Sequence, residues 1–481
     1  MQHSKVKAAV KTVCLVLSLL LVFSGFHQVF RFKYTDGIYG VDRFYALEPN
    51  TVDVLNLGSS HMFVDVNPAV LWEDYGISSF NLGGSAQPLW NTYYYLKEAL
   101  KTQTPKLLVL EAYGTVFSFE YSGPSQIIKN VSALKPSGNK LAALQASVPE
   151  GERLGYGLEF IQYHSRYKQL AKADFMGTGV AENPQLFLPM DENWMGSMVP
   201  TYITPFEPVS ISPSDARSPL LPKTEEYYRK IIELAQSEQI PLLIFKSPYS
   251  GYSAADQSVY HEAAEIAGEY GVPFLNFNED YAKTMDWSTD FADVGHMSYL
   301  GSEKFSHMLA GYLHVQYTLP DHRGDTDYVA WDENAAFYRA ALENHSLTSI
   351  SDAETYLNTL AALPETYLIF LSLDGNYMAS PYDLRAGLEK LGVPRVDDGT
   401  PGAWVHSGGT LVTGFHGSGP YRWSSAEEND DLTVDQTGLY FNRTNYKKVA
   451  DGLNVLVYNR KTATVAATVG FSAPAGTAPV R

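Results

Sequence analysis

The sequence predicts an α/β protein: an N-terminal transmembrane helix, a larger domain built on a mostly parallel sheet, and a smaller α/β domain. Three observations predict it. Thr12 to Phe30 carries no formal charge and holds a dense apolar run at Val13–Phe23. Residues 50–316 alternate short apolar strands with helical segments, the pattern of a mainly parallel sheet covered by helices. A second, shorter set of such segments fills residues 346–473. The 481 residues exceed the roughly 150 of one domain about threefold, so two or three folded units are expected.

Composition removes several function classes. Hydrophobic residues make up 45% and charged residues 18%, which excludes a disordered chain. Lys and Arg number 35 against 53 Asp and Glu, and 35 − 53 = −18 repels nucleic acid and anionic lipid alike. The single cysteine, Cys14, excludes an intrachain disulfide framework and a cysteine-rich zinc site.

A helix over Thr12–Phe30 rises roughly 28 Å, close to the hydrocarbon thickness of a bilayer. Lys5, Lys7 and Lys11 precede the run, and Arg31 and Lys33 follow it. The heavier positive charge in front predicts a cytoplasmic N-terminus and an exported body. Residues 1–33 therefore read as an uncleaved anchor, with a cleaved signal peptide as the alternative. Cys14 reads as lipid-facing.

In the larger domain Val52–Leu57 is a strand ending at Gly58, Asn91–Lys101 a helix, and Leu107–Leu110 a buried strand. Tyr227, Ile231, Leu234 and Ala235 mark one helical face ahead of Pro241. Leu242–Phe245 is a strand, Ala263–Tyr270 a helix stopped by Gly271, Val272–Phe277 a strand and Tyr299–Val315 the closing helix. Residues 115–222, rich in Gly, Pro and Ser, read as an insertion that either covers the site or decorates the surface. Residues 317–345 read as a connector. Beyond it, Tyr367–Leu373 is a strand, Leu384–Leu391 a helix closed by Gly392, and Leu453–Tyr458 a strand. The tail from Ala473 reads as disordered.

Three places carry chemistry. Leu57-Gly58-Ser59-Ser60-His61 follows the first strand, where ligands bind in open α/β sheets. It also reads as a plain strand-to-helix turn with a serine cap. Asp293-Val294-Gly295-His296 places a carboxylate three residues before an imidazole, a spacing that lets Asp293 fix the tautomer and leaves the other nitrogen as a base. Asn81-Leu82-Gly83-Gly84-Ser85-Ala86-Gln87 is a Gly-rich turn that brings backbone N–H groups near a ligand, or simply joins strand to helix.

In that order along residues 50–316, the three motifs resemble the SGNH/GDSL hydrolase superfamily, closest to its membrane-anchored, exported branch that acts in O-acylation of surface polymers. The resemblance implies a three-layer α/β/α domain. It implies Ser60 as nucleophile, since Gly58-Ser59-Ser60 stands where the family has Gly-Asp-Ser, His296 as general base and Asp293 as its orienting acid. The Ser60 amide becomes one oxyanion donor, and Ala86, Gly83, Asn81 and Asn91 are further oxyanion or substrate candidates. Two departures stand out: Ala86 replaces the last glycine of Asn-x-Gly-x-x-Gly, and Glu111-Ala112-Tyr113-Gly114 replaces the Gly-x-Asn-Asp block. A serine hydroxyl needs a base and a group to hold that base, so no cofactor and no metal is expected.

The C-terminal segments Leu363-Pro364-Glu365-Thr366-Tyr367-Leu368-Ile369, Ala403-Trp404-Val405 and Gly452-Leu453-Asn454-Val455-Leu456-Val457-Tyr458 resemble the interleukin-like EMT inducer domain in circularly permuted order. That resemblance implies a glycan-binding module; a structural appendage is the alternative. The combined expectation is a membrane-anchored, extracytoplasmic serine esterase or O-acyltransferase. It would act on acyl esters, acetyl above all, of a cell-surface glycan, with a membrane-bound O-acyltransferase as donor partner and no nucleic acid. The competing class is a non-catalytic polysaccharide-binding protein with a degenerate fold.

Overall fold

The strands read from residues 50–316 assemble into one five-stranded parallel sheet in the order β2-β1-β3-β4-β5. Its strands are β1 Val54–Gly58, β2 Ser79–Gly83, β3 Leu107–Glu111, β4 Leu242–Lys246 and β5 Phe274–Asn276. The structure is a computed structural model that describes residues 2–30, 40–157, 164–168, 170, 174–175, 186–190, 193–212, 214–280, 284–374, 384–394, 400–425, 430–472 and 479–481. The chain divides into two units, Met1–Ala335 and Ala336–Arg481.

Strand periodicity decides which residues fill each layer of the first unit. Val54, Leu107, Val109, Leu243 and Phe245 point to one face and pack with Phe305, Leu309 and Leu313 of the helix Tyr299–Gln316. Leu55, Leu108, Leu110 and Ile244 point the other way and are equally buried. The helix Leu89–Ala99 touches β1 and β2 and packs on the helix Pro222–Ser237. β1, β3 and β4 are buried at every position, so their apolar runs in the sequence are near-continuous, whereas the edge strand β5 is half-buried throughout.

Gln2–Phe30 is one helix, and its Ala9–Phe30 portion is long and apolar enough to cross a membrane. Residues 31–33, counted with the anchor, lie outside the described residues. Between β3 and the helix Pro222–Ser237 the described chain adds only helices and extended segments, including Pro124–Asn130 and Gly138–Ser147. A long helix, Val329–Ser349, begins within the expected connector 317–345 and runs past its end, and the boundary between units falls inside it.

The second unit differs from the first in sheet type. β6 Tyr367–Asp374, β7 Gly402–Ser407, β8 Thr410–His416, β13 Gly452–Asn459 and β14 Thr464–Ser472 form an antiparallel sheet in the order β14-β13-β6-β7-β8. A smaller antiparallel sheet comprises β9 Tyr421–Ser424, β10 Asp431–Val434, β11 Leu439–Phe441 and β12 Thr444–Asn445. Ile369, Leu371 and Trp404 face the helices Ala353–Ala362 and Arg385–Lys390 in one core. Leu368, Phe370 and Val405 face Leu432 and Phe441 of the small sheet in the other. The tail expected to be disordered lies mostly outside the described residues, but Val480 pairs with Gly470 through two backbone hydrogen bonds.

Candidate active site

The parallel sheet brings the carboxyl ends of β1, β2 and β3 side by side, and the candidate residues gather there. Gly58 ends β1 with φ 154°, and a Cβ there would come within 3.0 Å of the Glu111 Cβ. The β1–β2 register sets Gly83 beside Gly58, so close that a Cβ on Gly83 would lie 2.5 Å from the Gly58 carbonyl oxygen. Ser59 is the N-cap of the helix Ser60–Asp65; it is buried, and its hydroxyl has no partner among the described residues. Ser60, half-buried at the helix start, is the serine that faces the imidazole.

The Ser60 Oγ lies 2.7 Å from His296 Nε2. His296 Nδ1 lies 2.9 and 3.0 Å from the two Asp293 carboxylate oxygens. The loop is wound tightly enough to fix this geometry. Asp293 Oδ1 accepts the backbone N–H groups of Gly295 and His296, and Ala292 N–H donates to the His296 carbonyl. Phe291 and Met297 bridge across its base. Because Asp293 accepts at Nδ1, the proton sits there and Nε2 presents a lone pair to Ser60.

Charge follows the same geometry. Burial pushes the Asp293 carboxyl up, but the hydrogen bond and charge of His296, with the two loop amides, outweigh it and bring it down to about 2. Burial works against the His296 imidazolium, yet the Asp293 hydrogen bond and charge raise its pKa above the ordinary 6.5.

The expected insertion also reaches these residues. Tyr202 OH donates to Asp293 Oδ2 at 3.3 Å, and Thr204 N–H donates to the Phe291 carbonyl. Met198 N–H and the Asn81 N–H tie the same segment to the Phe63 and Met195 carbonyls. The end of the insertion therefore lines the candidate site.

Beneath Ser60 and His296 lies a buried polar cluster that motif reading did not bring together, although it had named His61 and Glu111 for other reasons. Lys246 Nζ, at the end of β4, lies 2.6 Å from Glu111 Oε1, 2.9 Å from Ser247 Oγ and 3.1 Å from His61 Nδ1. Ser247 donates to Asp65 Oδ2 at 2.6 Å, and Asp65 Oδ1 accepts the Met297 N–H at 3.1 Å. Lys246, Glu111 and Asp65 are fully buried, and His61 keeps 1% of its surface. The only sequence signal for this cluster is positional: a charged residue closing an otherwise apolar strand, as Glu111 and Lys246 both do.

The remaining candidates divide. Asn81 does not offer a free amide: its Nδ2 donates to the Val66 carbonyl at 2.6 Å, and its Oδ1 accepts from Asn56. Buried in β2 next to the helix Ser60–Asp65, it bonds the two elements together instead. Asn91 is buried in the helix Leu89–Ala99, with Oδ1 accepting from Ser147 and Nδ2 unpaired among the described residues. Gly83 stands beside Gly58, and Ala86 adopts φ 46° in the turn closed by Gln87 N–H to the Gly84 carbonyl.

No family model matches the chain. No curated protein matches it either. Among solved structures, a presumptive acylhydrolase from Bacteroides fragilis NCTC 9343 aligns over 57% of this chain and 94% of its own, at 11% identity and a TM-score of 0.27. That likeness is too slight to carry a statement about chemistry, which rests on the residues themselves.

Proposed function

We propose that this chain is a membrane-anchored serine esterase or O-acyltransferase acting on acyl esters of a cell-surface glycan outside the cytoplasm. One observation carries the chemistry: Ser60, His296 and Asp293 form a continuous hydrogen-bonded relay whose His296 and Asp293 side chains are partly exposed. His296 Nε2 takes the Ser60 proton as Oγ attacks the ester carbonyl, and the tetrahedral intermediate carries the negative charge on its oxygen. The imidazolium then gives that proton to the leaving alkoxide, which departs as alcohol and leaves an acyl-serine. Water or a sugar hydroxyl attacks the acyl-serine with His296 again as base, which regenerates Ser60 and releases acid or a new ester.

The N-terminal apolar helix supports the anchored location, and the net charge of −18 favours an uncharged glycan over nucleic acid as substrate. A membrane-bound O-acyltransferase would supply the acyl group in the transfer reaction. The second unit, by its sequence likeness, would hold the glycan.

A fluorophosphonate probe tests the reading. Wild type should be labelled at Ser60 and should turn over p-nitrophenyl acetate; Ser60→Ala should lose both while staying folded, and Ser59→Ala should keep both. A wild-type chain that neither labels nor cleaves any ester tried would leave polysaccharide binding as the function.

A further inference from the structure

The Lys246 ammonium has three hydrogens and no lone pair, and three acceptors surround it: Glu111 Oε1, Ser247 Oγ and His61 Nδ1. The third contact decides the state of His61. With Nδ1 accepting from Lys246, the imidazole proton sits on Nε2. Asp65 Oδ2, 3.6 Å from Nδ1, is beyond hydrogen-bond range and is already occupied by Ser247. Burial, and then the charges of Lys246 and His296, hold the imidazolium form of His61 well below its ordinary range.

The ring is clamped on its other sides. Tyr113 stacks on it at 3.8 Å between centroids, and Tyr249 meets it edge-on at 5.3 Å. Glu111 holds this clamp too, because its Oε2 accepts the Tyr113 N–H. The Nε2 edge faces the loop of the base: a Cβ on Gly295 would lie 3.5 Å from it, and the His296 ring lies 5.2 Å away. Among the described residues Nε2 has no hydrogen-bonding partner. An N–H that has no partner among the described residues, on a ring that keeps 1% of its surface beside the Ser60–His296 pair, is what an active site leaves for its substrate.

We propose that His61 is a further catalytic residue, donating Nε2–H to the acyl oxygen of an ester bound at Ser60, and that Lys246 is the positioning residue that fixes this tautomer. This rests on the serine-ester reading and supplies what that reading lacks. A tetrahedral oxyanion needs two or three preorganised donors. Asn81 is engaged elsewhere, and the end of β3 bears Glu111 and Tyr113 where a side-chain amide would serve. Those two residues hold His61 in place.

The test uses the full-length chain in detergent. His61→Phe, which removes the donor, should lower kcat for p-nitrophenyl acetate by about 10²–10³-fold with KM changed far less. His61→Gln, whose amide still donates, should recover at least tenfold of that loss. Nitrogen-15 NMR of histidine-labelled wild type should show His61 as the neutral Nε2–H tautomer, assigned by its loss in His61→Gln, and Lys246→Met should abolish that signature. Unchanged kcat in His61→Phe, or an Nδ1–H tautomer or imidazolium in wild type, would overturn the proposal. If His61→Phe does not fold, the wild-type tautomer and the His61→Gln kinetics decide. Fluorophosphonate labelling separates the two levels. Failure of wild type to label at Ser60 removes the serine-ester reading itself, whereas full labelling with kcat indifferent to His61 removes only this inference.

Discussion

Asp65 Oδ1 accepts the Met297 N–H at 3.1 Å, so one carboxylate joins the helix that begins at Ser60 to the residue that follows His296. Ser60 and His296 sit 236 positions apart in sequence. Their 2.7 Å approach depends on contacts of this kind, because a loop end placed an ångström away would lose the hydrogen bond.

Asp65 should reveal itself through pH. Burial raises its carboxyl, against Lys246, His296, Ser247 and the Met297 amide, to about 7 from 3.8. A carboxyl raised in the fold contributes stability that is full below about pH 4 and is lost as pH rises through about 7. Asp65→Asn mimics the protonated acid: its oxygen accepts from Met297 and its amide donates to Ser247. Chemical denaturation across pH 4–8 should therefore show the variant gaining on wild type as pH rises. Asp65→Ala leaves the Met297 N–H unpaired and should lose about 1–3 kcal/mol. A wild-type-minus-Asn difference flat in pH would contradict the buried, raised carboxyl.

Asp293 makes the opposite prediction for the base. Its hydrogen bond and charge raise His296 above 6.5, so esterase activity should fall as pH drops through a midpoint above that value. Asp293→Asn removes the charge and the reason for the Nδ1–H tautomer. The rate should drop on the order of 10⁴-fold, and the residual activity should show its midpoint shifted to lower pH. Rate–pH profiles of the two proteins check both statements.

The motif residues were legible in sequence because local turns hold them. Asp293 and His296 share one loop, and Ser60 follows its strand directly, so order along the chain predicted their meeting. Lys246, Glu111, His61 and Asp65 were not grouped because they come from three elements, β3, β4 and the helix Ser60–Asp65 that carries both His61 and Asp65, and only the sheet order brings these together. The second unit shows the same limit. β6 and β13 are buried on both faces and read as apolar runs, whereas β8 alternates exposed and half-buried residues and offers no dense run. The helix Ala254–Glu269 was read only from Ala263, because its first turns are polar and announce themselves by the Ser253–Asp256 capping box instead.

Gly83 gives a sharp steric prediction. A methyl group there would sit 2.5 Å from the Gly58 carbonyl oxygen, which is backbone and cannot turn aside. Gly83→Ala should cost at least about 1–3 kcal/mol and should lower esterase activity by spreading β1 from β2 beneath Ser60. Gly138, at the start of the helix Gly138–Ser147, meets nothing within 4 Å of the same methyl. Gly138→Ala is the control and should be neutral or slightly stabilising. Thermal melts should show Gly83→Ala lowered and Gly138→Ala unchanged or slightly raised.

The second unit should fold alone, provided that its leading helix is kept. Leu347 of that helix lies in the core with Tyr356 and Tyr367. The Tyr367 hydroxyl lies 2.8 Å from Glu343 Oε2 and 2.9 Å from Asn344 Oδ1, two acceptors that share its one hydrogen, and Asn459 donates to the Asn344 oxygen. A fragment of residues 329–481 retains all of these contacts and should melt in one cooperative step. A fragment of residues 353–481 leaves Asn459 and Tyr367 without those partners and should melt lower and more broadly. Trp404 tests the core itself: it is 2% exposed, and the backbone of Gly414 closes over its indole so nearly that a Cβ would overlap the ring. Trp404→Ala should cost about 3–5 kcal/mol, and Gly414→Ala should destabilise by crowding the same ring. The double variant should lose less than the sum of the two, because the space vacated by the indole admits the added methyl. Additive losses in urea titrations would show that Gly414 and Trp404 do not share that contact.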